Sequence, residues 1–277
     1  MSEFNYLLEK IMDAPFINKG FPFLYIEDWF TQEHFEIITQ AKQINLPEYE
    51  TTEDLISDLQ HQKYSPVTFP GTVTDIKTYL QWYNHRNVNG PSHTHGLLEG
   101  FGIVFRMNEY KEPKLKELIT FLNSDVFLSQ LMLKFNKSGN TRVETAIQKY
   151  LTGYEISPHP DIRKKCLTYM VNINPNSDMD NMNIHTHFMT FKDEKKYIPK
   201  YWDDNPLIDR CWVPWDWCDT QFMHTKNNSI TMFAPENRSM HAVKLDYDHC
   251  NNQRTQIYGN LWYLKSNTTK QPTWRDL

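Results

Sequence analysis

Ile156-Ser157-Pro158-His159-Pro160-Asp161-Ile162 is the stretch from which the rest of the chain is best read. His159 and Asp161 sit two positions apart, so on an extended strand their side chains leave the same face. An imidazole nitrogen and a carboxylate oxygen on one face make two corners of a metal site. The third corner has to come from elsewhere, and His241, in Asn237-Arg238-Ser239-Met240-His241-Ala242-Val243, is the best candidate. Two histidines and one carboxylate on one side of a metal leave its remaining positions open to small molecules. An HxD triplet alone is a weak signal, because ordinary surface loops produce it by chance. It gains weight from His241 and from the strand-like run that opens with Arg254, Arg254-Thr255-Gln256-Ile257-Tyr258-Gly259-Asn260-Leu261-Trp262-Tyr263.

With 277 residues the chain can hold one large β domain or two modest ones, and 39% hydrophobic with 14% aromatic residues is enough for a substantial core. A formal charge of −5, with no local run of basic residues to reverse it, argues against a nucleic-acid partner. The first residues lack a basic segment followed by an apolar core, and no run of residues is apolar enough to span a membrane. Cys166, Cys211, Cys218 and Cys250 form no CxxC pair, which fits reduced thiols. A cytoplasmic, membrane-free protein is expected.

Outward from the motif, short β-rich runs at 142–151, 166–173, 183–191, 229–234, 241–246 and 254–264 are separated by turn-forming residues. This spacing predicts a double-sheet barrel or jelly roll, not a parallel sheet. Before residue 139 the texture is helical. Thr31 reads as an N-cap for a helix to about Gln43, a second segment starts at Thr52, Pro113 opens a third, and Ser124 caps a fourth. Residues 21–30 read as a strand, and 65–112 as turn-rich. The expectation is a single unit over 1–277, mainly β with flanking α-helices. Residues 1–138 form a helix-rich support and 139–265 the β core, interrupted by an insertion at 192–228. That insertion carries Trp202, Trp212, Trp215 and Trp217 and reads either as a substrate lid or as a cover for the barrel.

A ferrous ion held by three protein ligands can accept a bidentate small molecule and then dioxygen. If that molecule is 2-oxoglutarate, its keto-acid end chelates the metal and its far carboxylate needs a cation. A guanidinium fork suits that carboxylate through two parallel charge-assisted hydrogen bonds. Arg254, on the strand after His241, is the first choice and Lys244 the second. His185 with His187 and His93 with His95 form further same-face pairs that could serve a cupin-like metal site.

At these residues the chain resembles the Fe(II)/2-oxoglutarate dioxygenases, specifically the prolyl-4-hydroxylase-like branch. The resemblance covers about residues 140–265. It runs through Gln148-Lys149-Tyr150, His159-Pro160-Asp161, Lys165-Cys166-Leu167-Thr168-Tyr169-Met170-Val171-Asn172-Ile173-Asn174, Ser229-Ile230-Thr231-Met232-Phe233, His241, and Arg254 through Trp262-Tyr263. Phe21 to Phe30 also resembles the opening strand of such proteins. The resemblance implies a double-stranded β-helix (jelly-roll, cupin-like) core, with His159, Asp161 and His241 as catalytic iron ligands. It implies that Arg254 binds the 2-oxoglutarate carboxylate, helped by Tyr150 as hydrogen-bond donor. Fe(II), 2-oxoglutarate and dioxygen, with ascorbate as reductant, are the cofactors it implies. An aspartate ligand, in place of the small residue of halogenases, favours hydroxylation. Two functions follow: an oxygenase that hydroxylates a protein side chain or small metabolite and releases succinate and carbon dioxide, or a cupin-like metal-containing binding or structural protein without turnover.

Overall fold

The computed structural model describes residues 2–86 and 101–264. Among them, strands β1 (Phe16–Asn18), β2 (Pro22–Ile26), β3 (Tyr64–Pro66), β4 (Val104–Met107), β5 (Thr141–Tyr150) and β6 (Glu155–His159) precede six more: β7 (Lys165–Asn172), β8 (Thr186–Phe191), β9 (Cys218–His224), β10 (Ser229–Phe233), β11 (Met240–Lys244) and β12 (Arg254–Tyr263). They form a large sheet in the order β1-β2-β10-β7-β12-β5-β4-β3 and a small one in the order β6-β11-β8-β9. Every pairing between named strands is antiparallel. From β5 onward the chain passes repeatedly between the two sheets.

Period-two alternation assigns the two faces of the large sheet. On β12, Ile257 and Leu261 join an apolar cluster with Ile147 of β5, Leu167, Tyr169 and Val171 of β7, and Ile230 and Met232 of β10. The helices α1 (Tyr6–Asp13), α2 (Gln32–Gln40), α3 (Thr52–His61), α4 (Ile76–His85), α5 (Pro113–Leu122) and α6 (Asp125–Lys134) supply the opposing side chains to this cluster, among them Leu7, Ile38, Leu55, Tyr79, Leu118 and Phe127. Each such side chain, fully removed from water, contributes roughly 1.5–3 kcal/mol. The helices are therefore a layer on the outer face of the large sheet. Three of their starts are capped as the sequence predicts or within one residue of it: Thr31 Oγ1 accepts from His34 N, Thr51 Oγ1 from Asp54 N, and Ser124 Oγ from Phe127 N.

The inner faces meet through Phe21, Phe23, Met170, Phe188 and Phe233, with Phe23 stacked on Phe188 at 4.7 Å between ring centres. This cluster closes one end of the space between the sheets, and a cavity of about 540 Å³ occupies the rest.

Three features depart from the sequence expectations. Residues 65–112 contain α4 and the strand β4, so this segment is not only turns. The 192–228 segment holds a helix, α7 (Tyr197–Asp204), and ends in β9, the edge of the small sheet. Its tryptophans divide: Trp202 is buried with Trp215 and Trp217 beside it on the outer side of that sheet, and Trp212 lines the cavity. No helix among the described residues is long and apolar enough to cross a membrane.

Candidate metal centre

His159 is the last residue of β6 and His241 the second of β11, and the two are direct cross-strand partners. The register slips between His241 and Val243, because three residues of β6 oppose two of β11. This bulge lets both Ile156 and His159 face the cavity although they are three apart. Asp161 lies beyond the end of β6, after Pro160, and not on the strand itself. It still converges: one donor atom from each of His159, Asp161 and His241 lies within 4.8 Å of the others. The imidazole Nε2 atoms of His159 and His241 each stand 3.9 Å from a different oxygen of Asp161.

Backbone carbonyls set the tautomers. His159 Nδ1 lies 2.9 Å from the carbonyl of Ser157, and His241 Nδ1 lies 3.1 Å from that of Ser239. A carbonyl only accepts, so each Nδ1 carries the proton and each Nε2 presents its lone pair toward Asp161. Burial, followed by the neighbouring His241, lowers the pKa of the His159 imidazole to about 3, and burial likewise lowers that of His241. Burial alone would raise the Asp161 carboxyl, yet the Lys165 ammonium that bonds it holds it well below the usual carboxylate range. Asp161 Oδ2 accepts from Thr168 Oγ1 at 2.6 Å and Oδ1 from Lys165 Nζ at 2.7 Å. The donor set is thus two neutral imidazoles and one ionised carboxylate, opening on a cavity. It fits a divalent metal ion.

Across the cavity, Arg254 is 3% exposed. Its Nη2 donates to Thr186 Oγ1 at 3.0 Å, and its guanidinium lies 4.7 Å from the centre of the Tyr150 ring. Among the described residues no carboxylate forms an ion pair with it. Burial lowers its pKa, as a buried cation without a counter-anion requires. Tyr150, the cross-strand partner of Arg254, lines the same cavity. The Gln148 amide is best oriented with its oxygen accepting from Arg106 at 3.0 and 3.1 Å and its nitrogen donating to the Tyr150 hydroxyl at 2.6 Å. In that orientation the Tyr150 hydroxyl keeps its own proton for a cavity ligand.

The alternatives raised from sequence fall elsewhere. Lys244 pairs with Glu155 at 3.6 Å and does not line the cavity. His185 and His187 flank Thr186, whose hydroxyl meets Arg254, so alternation turns both away; His185 bonds the Asp180 carbonyl and His187 the Thr220 hydroxyl. His93 and His95 lie outside the described residues. Sequence reasoning missed Lys165, Thr168 and Arg210 as lining or orienting residues, whereas Trp212 belongs to the insertion read as a possible substrate lid. For Lys165 the cause is local: Leu261 pairs with Leu167 but Trp262 with Lys165, so a bulge at Cys166 turns Lys165 inward against simple alternation.

No protein-family model matches the chain, and no curated protein matches it. Among solved structures, it is similar to a prolyl-4-hydroxylase of Pseudomonas putida, with 8% identity over 94% of this chain and 98% of that one, TM-score 0.45. The chain is also similar to a prolyl hydroxylase of Trichoplax adhaerens, in complex with a hypoxia inducible factor peptide, at 12% identity over 94% and 88% of the two chains, TM-score 0.45. A third is HygX of Streptomyces hygroscopicus with nickel, 2-oxoglutarate and hygromycin B bound, at 10% identity over 97% and 92%, TM-score 0.40.

Proposed function

We propose that this chain is an Fe(II)- and 2-oxoglutarate-dependent oxygenase, built on a double-stranded β-helix, that hydroxylates its substrate. The single observation that carries the reading is one cavity lined by both the His159–Asp161–His241 cluster and a buried, carboxylate-free Arg254. The strand order supports the fold assignment: β5-β12-β7-β10 within the large sheet and β6-β11-β8-β9 in the small one are two four-stranded sets, as the two facing sheets of such a helix require.

In this reading His159 and His241 offer Nε2 and Asp161 one carboxylate oxygen to ferrous iron. The iron, with 2-oxoglutarate and dioxygen, supplies the oxidative decarboxylation that forms succinate and carbon dioxide. The chain does the rest. Arg254 receives the far carboxylate of the cosubstrate as a fork, and Thr186 holds that fork in place. The Tyr150 hydroxyl donates to the same carboxylate. Thr168 fixes the Asp161 carboxylate, and the walls formed by Ile156, Trp212 and Val243 keep water away from the reacting centre.

The test is succinate formed from 2-oxoglutarate by purified protein with Fe(II), ascorbate and air. Turnover is expected, falling at least about a hundredfold in His241→Ala and in Arg254→Met. A metal-loaded protein that neither turns over nor takes up 2-oxoglutarate would point instead to a cupin-like binding protein.

A further inference from the structure

Resting on the oxygenase reading, we infer that the substrate is a small molecule carrying an oxyanion, a carboxylate or phosphate, which Lys165 and Arg210 receive beside the metal centre. The charges that line the cavity lead there. Among the described residues its acidic, basic and imidazole walls are Arg106, Glu144, His159, Asp161, Lys165, Arg210, His241 and Arg254. Arg106 is satisfied by Glu144 at 2.6 Å and by Gln148. Both histidines are neutral. The charges of a ferrous ion and of 2-oxoglutarate cancel, and Asp161 cancels Arg254. Lys165 and Arg210 remain.

Neither is held by another anion. Lys165 Nζ bonds Asp161 Oδ1 and, at 2.9 Å, Tyr258 Oη, and it sits over the Tyr258 and Trp262 rings at 5.6 and 5.5 Å. A metal on Asp161 draws off the one carboxylate charge that faces this ammonium. Arg210 donates Nη2 to the Asp161 backbone carbonyl and Nη1 to Asn237 Oδ1 at 3.3 Å, both uncharged oxygens. Its Nε is buried and meets no acceptor. Arg163 adds like charge near Arg210, opposed by Asp161 and then by Glu236, neither of which forms an ion pair with it among the described residues. Both cations line the cavity and both touch Asp161, Lys165 at the carboxylate and Arg210 at the backbone carbonyl, so they flank the same place. Two partly buried cations therefore share the single carboxylate of Asp161, which a metal would also claim, and an anion that answers both is favoured. Apolar walls that include Val67, Phe69, Ile156, Trp212 and Val243 suit an apolar body attached to that anion.

The experiment loads the full chain with Mn(II) and 2-oxoglutarate, a non-turnover state. It then measures binding of 3-phenylpropanoate and of its neutral isostere 3-phenylpropanamide, by calorimetry and by paramagnetic relaxation of the probe protons. The carboxylate should bind about ten- to a hundredfold more tightly than the amide, with its protons relaxed by manganese. Arg210→Gln should erode that preference while leaving amide affinity and 2-oxoglutarate uptake intact, and Lys165→Met, which also removes a bond to Asp161, should erode it as well. Arg210→Gln is the cleaner variant, since its guanidinium touches the centre only through a backbone carbonyl. Equal binding of the two probes, or a preference that survives both substitutions, would overturn the inference alone. Failure of the manganese-loaded chain to take up 2-oxoglutarate would overturn it together with the oxygenase reading.

Discussion

At the residue scale, His159 and Lys149 show two opposite uses of burial. His159 is neutral, oriented by a carbonyl and turned toward Asp161, so its removal leaves a two-donor site. His159→Ala is expected to abolish iron binding along with turnover; normal iron stoichiometry in that variant would remove His159 from the centre. Lys149 is fully buried on the helix side of β5, donating to the Ile44 carbonyl and to Thr255 Oγ1, both at 2.8 Å. Burial pushes its ammonium down to about 7. Because the unfolded chain titrates this group near pH 10, it binds more protons than the folded chain in between. Stability therefore rises as pH rises from about 7 toward 10. Lys149→Met is expected to flatten that slope and to stabilise the protein at pH 7 by on the order of 1–3 kcal/mol, despite two lost hydrogen bonds. Urea titrations of both proteins at pH 7 and pH 9.5 check it.

At the scale of elements, the pairing of β12 with β7 places Gly259 opposite Tyr169. A Cβ at Gly259 would overlap the Tyr169 ring, which packs edge-on against Phe127 of α6 and bonds Thr145. Gly259→Val should thus destabilise the fold by about 1–3 kcal/mol, read as a lower melting temperature. What could be read of these elements beforehand followed their local physics. β-rich runs bounded by turn-forming residues made β5, β7, β10 and β12 legible to within a residue or two at each end, and Pro113 and Ser124 marked α5 and α6. Strand β9 was hidden because Asp219, Thr220 and Gln221 are all exposed on a sheet edge, so no alternation survives there. Lys165 was hidden by a bulge, a feature of pairing between strands that no single strand encodes. Arg210 was hidden because it reaches the site from a loop, through a backbone carbonyl, and leaves no spacing signal. His159, Asp161, His241 and Arg254 could be grouped beforehand because their chemistry is written in residue type, Tyr150 joined them only through the family resemblance, and the chain brings all five to one cavity.

For the whole molecule, the cavity divides its donors between two sheets. His159 and His241 belong to the small sheet, whereas Arg254 and Tyr150 belong to the large one, backed by the helical layer. A cosubstrate chelated at one side and clamped at the other would tie the two sheets together. Mn(II) and 2-oxoglutarate added jointly should raise the melting temperature by more than the sum of their separate effects. Simple additivity in thermal melts at saturating concentrations would mean that the two groups bind independently, against the shared-cavity arrangement.

The bonds that orient the two imidazoles have a consequence for how such a centre can drift. Each histidine is held by the carbonyl two positions before it, Ser157 for one and Ser239 for the other. A carbonyl comes with every amino acid, so no exchange of the side chains at 157 or 239 deletes the clamp. The orientation of the imidazoles is inherited through the path of the backbone, and the surrounding sequence is free to diverge while the centre keeps its shape.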